Sequence, residues 1–209
     1  MDNWFGINKG LAAAGRLPVL ARTRDRISVY EILWLIFCGA VAAAGIGLVR
    51  LGLRIPGHSI ILSMMPMVLG LALAPRRLSG FIMSASAFGT GALLNVTGLA
   101  QIGAGAFVSL CLIGPMMDLA VSKFRSGWKL YSGLILAGLC TNLMALFSRS
   151  ASKLLGLDPG TRPFGGWWTQ ALLTYALSGA LAGLIGAICF FHVRKQRSKS
   201  ETDDAGNPR

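Results

Sequence analysis

Few side chains in this chain can do chemistry, and their types restrict what that chemistry is. His58 follows Arg54-Ile55-Pro56-Gly57, and an imidazole can donate, accept or ligate. Asn95, Asn142 and Gln170 each bring an amide with two donated protons and an accepting oxygen. Ser59, Thr97, Gln101, Thr141, Thr169, Thr174 and Tyr175 accompany them. Nothing is arranged for bond cleavage: the sequence holds no GxSxG, no HExxH, no Walker A loop and no carboxylate pair inside its apolar runs. The expectation is a binding protein, not an enzyme, with no cofactor. A hard metal ion wants carboxylates, and a softer one wants more than His58 with Cys140, so no metal site is expected. Amides and hydroxyls suit a neutral or anionic small solute. His58, Asn95, Asn142 and Gln170 are its expected contacts, with His58 at a helix start whose N–H groups favour negative charge.

Such residues need elements to hold them, and the composition says which. The 209 residues are 54% hydrophobic and 13% charged, with a net charge of +12 and a mean hydropathy of +0.61. Soluble domains carry roughly 25% charged residues, so disorder and a soluble enzyme are both disfavoured. The basic residues sit between long apolar runs, which points to a membrane surface and away from nucleic acid. Six runs approach the roughly 20 residues a spanning helix needs: 28–49, 56–74, 78–96, 102–121, 130–147 and 168–192. None alternates as a barrel strand does. The predicted fold is all-α, a polytopic membrane protein with a bundle of six transmembrane helices.

Residues 1–27 read as a basic cytoplasmic tail without a removable signal peptide, 28–192 as the membrane domain, and 193–209 as a disordered cytoplasmic tail. The stretch 149–166, with Asp158-Pro159-Gly160 and Pro163, reads as a loop with at most a short helix. With both termini inside, three-quarters of the Lys and Arg fall on the cytoplasmic side, as the positive-inside rule requires. The polar residues named above then gather at the outer end. Glu31 is expected in solvent or beside Arg24 or Arg26, and Asp118 beside Lys123 or Arg125. Met64, Met65 and Met67 cannot share one helix face and read as packing residues, as do Cys38, Cys111, Cys140 and Cys189, which form no CxxC pair. Small residues four apart, Gly39 with Ala43 and Ala40 with Ala44, allow a second backbone to come close, inside the bundle or from a partner. Gly179 with Gly183 repeats the spacing in the last run.

Six spans, both ends inside, the Ala40-xxx-Ala44 spacing and the polar outer end give residues 28–192 a resemblance. They look like an S component, the substrate-binding membrane subunit of an energy-coupling factor type ABC transporter. The resemblance implies capture of a vitamin or metal ion from outside, with a separate transmembrane coupling protein and ATPase subunits as partners. It places the coupling contact on Ala40 and Ala44, flanked by Gly39 and Ala43. The cobalt/nickel branch of that family opens with Met-His; this chain opens with Met1-Asp2-Asn3, so that amino-terminal metal site is not carried over. The alternative is a non-transport six-span scaffold or assembly protein, with a filled bundle and basic tails that hold partners or membrane lipid.

Overall fold

The computed structural model describes residues 28–49, 57, 59–76, 78–124, 127–155 and 164–206, and every regular element among them is an α-helix. In chain order these are α1 (Val29–Leu48), α2 (Ser59–Leu73), α3 (Ser79–Val96), α4 (Ala104–Lys123), α5 (Gly127–Leu154) and α6 (Phe164–Gly206). Local chemistry sets several boundaries. The Glu31 carboxylate accepts the Ser28 N–H at 3.1 Å, half of a capping box that starts α1. Between α2 and α3 the Ser79 hydroxyl donates to the Ala74 carbonyl at 2.7 Å and accepts the Arg76 N–H at 3.1 Å. That tight turn puts Leu78 at φ +69°, a left-handed conformation that costs a branched side chain energy.

The apolar segments of α1, α4, α5 and α6 are long enough to cross a membrane, while α2 is apolar but shorter, at 15 residues. The helices close into a ring in the order α1, α2, α6, α5, α4, α3, and α2 also touches the remaining three. Neighbours in sequence run antiparallel: Cys38 of α1 meets Gly70 of α2, while Gly45 meets Leu62. One end of the ring therefore carries Glu31, Arg76 and Asp118, and the other carries Gly57, Asn142 and Tyr175. Leu35, Met64, Met67, Leu71, Met83, Leu110, Ile113, Leu134 and Phe190 fill the middle. Lipid tails are as apolar as these side chains, so close packing must hold such a bundle together. Two glycine crossings supply it. Gly80 of α3 lies against the backbone of Gly114 of α4, and a Cβ on Gly183 of α6 would sit 2.5 Å from the Ile135 Cα of α5.

Two boundaries differ from the sequence reading. The stretch 149–166 is not all loop, because α5 runs on to Leu154 and α6 begins at Phe164. No Gly or Pro occurs between Gly138 and Gly156, and the Ser150 and Ser152 hydroxyls donate back to the Leu146 and Ser148 carbonyls. The C-terminal tail is helical through Gly206 instead of disordered; its Lys, Arg, Gln and Glu are good helix formers, and no Pro lies between Pro163 and Pro208. The N-terminal tail 1–27 lies outside the described residues.

Candidate functional site

Asn142 is 2% exposed in an apolar stretch of α5. Its Nδ2 donates to the Tyr175 carbonyl at 2.7 Å and to the Ser178 hydroxyl at 2.8 Å, both on α6, and lies 3.4 Å from the Gly57 carbonyl. Ser178 in turn donates to the Thr174 carbonyl at 2.7 Å. One amide thus ties α5 to α6 and to the approach of α2. The geometry depends on glycine. Gly57 has φ +83°, and a Cβ there would lie 2.8 Å from the Ser178 hydroxyl and 2.9 Å from the Asn142 nitrogen. The glycines of the α5–α6 crossing, Gly138 and Gly179, bring the helices close enough for a short amide to reach across. Above the amide, the Tyr175 hydroxyl lies 3.5 Å from the Arg149 guanidinium.

Beside this network are two hydroxyls in a different state. Thr141 is fully buried and Ser109 of α4 is 4% exposed, yet neither side-chain oxygen has a hydrogen-bond partner among the described residues. The other buried Ser residues, Ser63, Ser79, Ser84, Ser150 and Ser178, are all bonded.

Of the four expected solute contacts, the structure keeps Asn142 in this network. His58 lies outside the described residues. Asn95 is exposed and uses both ends of its amide on Ile102, accepting its N–H at 2.7 Å and donating to its carbonyl at 3.1 Å. It closes the α3–α4 turn, and α3 touches neither α5 nor α6 among the described residues. Gln170 is exposed on the outer surface of α6. Thr97 and Thr174 donate to carbonyls of their own helices. Ser109 escaped the sequence reading because a lone Ser in an apolar run resembles any packing serine; Arg149 escaped it because it was read as a loop residue.

The small-residue face of α1 divides in two. Gly39 and Ala43 are buried, with Gly39 against the Met83 carbonyl of α3. Gly39 seats α3, and both residues lie inside the bundle instead of flanking an exposed partner surface. Ala40 and Ala44 are half-buried, in helical line with exposed Leu33 and Phe37.

At the opposite end the acidic residues have partners that the sequence reading did not name. Arg76 Nη2 lies 3.1 Å from Glu31, so this carboxylate pairs across 45 residues; Arg24 and Arg26 lie outside the described residues. Asp118 accepts the Gly80 N–H at 2.9 Å and the Phe81 N–H at 3.0 Å. It caps the positive N-terminus of α3, which gives each carboxylate oxygen a donor; Arg125 lies outside the described residues. Among the described residues no three His, Cys, Asp or Glu side chains gather to hold a metal ion. Comparisons with protein-family models, with curated proteins and with solved structures find no match to this chain.

Proposed function

We propose that this protein is the substrate-binding membrane subunit of an uptake system for a small solute, working with a separate coupling protein and ATPase subunits. In this reading all six helices span a cell membrane, both termini are cytoplasmic, and the Asn142 end faces outward. The observation that carries it is the buried polar set Asn142, Tyr175, Ser178, Thr141 and Ser109 at one end of an otherwise apolar ring. Polar groups at membrane depth are costly and mark solute pathways more often than chance packing. The half-buried Ala40 and Ala44, on the outward flank of α1, support a partner contact there. They leave a shallow strip between larger side chains where a second helix can approach closely.

The test is affinity capture of the full chain from its native membranes, followed by identification of the retained proteins. The expected outcome is a membrane coupling protein with an ATPase, both lost from Ala40→Trp/Ala44→Trp while the variant stays folded. Capture without any ATPase would favour the scaffold reading, which draws support from the Asn142 amide hydrogens already spent within the bundle.

A further inference from the structure

We infer that Ser109 and Thr141 are the inner contacts of this site, and that the group they hold is an uncharged hydroxyl or carbonyl of the solute. The inference rests on the solute-binding reading above and assigns residues and chemistry that it leaves open.

The register of α4 against α5 brings the two hydroxyls to one level. A Cβ on Gly105 would lie 2.9 Å from the Ala145 carbonyl. Ser109 is one turn further along α4, and Thr141 is one turn back along antiparallel α5. Steps of four residues keep to the same helix face, so both side chains enter the same seam. Ile113 and Ala137, both buried, form its next level.

The hydroxyls behave unlike the others in the bundle. A helical Ser or Thr can hand its proton to the carbonyl one turn back, as Ser150 and Ser178 do. Ser109 and Thr141 do not, and a buried hydroxyl left unbonded costs about 1–3 kcal/mol. Two such groups, at one level of the α4–α5 seam, match a ligand group that donates to one and accepts from the other.

Charge then narrows the class. No Asp, Glu, Lys or Arg occurs in 32–49, 59–73, 79–96, 104–117, 130–148 or 168–191. The nearest charges along the two helices are Asp118 and Arg149, nine residues from Ser109 and eight from Thr141, or about 12–14 Å at the helical rise. An ionised group between the hydroxyls would be without a counter-charge in a low-dielectric setting. A hydroxyl or carbonyl carries no such penalty.

The test places cysteine at each position in the full chain in its membrane, as Ser109→Cys and Thr141→Cys. Each variant is treated with uncharged hydroxyethyl methanethiosulfonate, or with its trimethylammonium or sulfonate analogue, and adducts are located by peptide mass spectrometry. Ala137→Cys, in the next level of the seam, is the control. Both site cysteines should react with the hydroxyethyl reagent at least about ten-fold faster than Ala137→Cys, and about ten-fold faster than with either charged reagent. Reaction no faster than Ala137→Cys means that no solute reaches these hydroxyls. The residue assignment then falls, while the solute-binding reading still stands or falls on partner capture. Equal reaction with a charged reagent overturns the uncharged class. If a cysteine disturbs folding, Ser109→Ala and Thr141→Val carry the test by thermal unfolding in native membrane. Each should lower Tm only while solute is bound, because washing solute out of the wild type should lower its Tm, whereas removing an unbonded buried hydroxyl should not lower the Tm of the washed protein. A wild-type Tm unchanged by washing would mean a dry seam and overturn the inference.

Discussion

The two ends of the bundle treat their polar groups in opposite ways. At the Glu31 end the carboxylates are committed, although Arg76 Nη1 has no hydrogen-bond partner among the described residues. Asp118 spends both oxygens on the first turn of α3, and Glu31 holds Arg76 across the α1–α2 boundary. These contacts lie beside the Gly80–Gly114 crossing, so that end is fastened by backbone contact and charge together. At the Asn142 end the fully buried groups are uncharged, and two of them, Ser109 and Thr141, have no hydrogen-bond partner among the described residues. On the solute-binding reading, the difference separates structural polarity from polarity kept for recognition. A fastening uses its donors and acceptors within the fold, whereas a binding site keeps some for its ligand.

This comparison can be broken by substitutions at each end. The largest effect is expected for Gly114→Leu. Gly80 lies directly against this position, and forcing a side chain between two backbones costs about 3 kcal/mol or more. Loss of the monodisperse peak after detergent extraction would show it. Next comes Asp118→Ala, which removes two hydrogen bonds to a charged acceptor and costs about 3 kcal/mol; Asp118→Asn, with one accepting oxygen left, should lose about half of that. Thermal unfolding in detergent measures both. Asn142→Leu removes the tie between α5 and α6 and should cost about 1–2 kcal/mol, while abolishing solute binding. The smallest effect belongs to Glu31→Gln. The side chains of the pair are 18% and 27% exposed, and such ion pairs contribute about 0.5 kcal/mol. If Glu31→Gln impaired solute binding as strongly as Asn142→Leu, the contrast between fastening and recognition would collapse.

How far the sequence discloses this arrangement depends on whether a feature is local. The apolar run 28–49 became Val29–Leu48, and 78–96 became Ser79–Val96, because span length and flanking Gly, Pro and Arg are written into consecutive residues. Asn142 could be singled out for the same reason: an amide in the middle of an apolar run has to find partners there. Asn95 and Gln170 stand near run ends, where an amide can equally well close a turn or meet the exterior, as the Asn95 contacts with Ile102 and the exposure of Gln170 illustrate. The partners of Glu31 and Asp118 were not legible, since each lies more than 35 residues away and only the ring order brings them together. The unpaired state of Ser109 and Thr141 was hidden as well. It arises from the register of α4 on α5 and leaves no trace in composition or spacing. The split role of the α1 stripe has the same origin: Gly39 and Ala40 are adjacent in sequence but turn to different sides of the helix.

The central claim is that the Asn142 end holds a solute through the Ser109 and Thr141 hydroxyls. The most direct measurement is mass spectrometry of the small molecules released when the protein, purified gently from its native membrane, is denatured. The wild type should release an uncharged compound bearing hydroxyl or carbonyl groups, in an amount comparable to the protein. Ser109→Ala/Thr141→Val, equally folded, should release at least about ten-fold less, which corresponds to about 1.4 kcal/mol of lost binding. Release of the same compounds in the same amounts from both proteins would contradict the account.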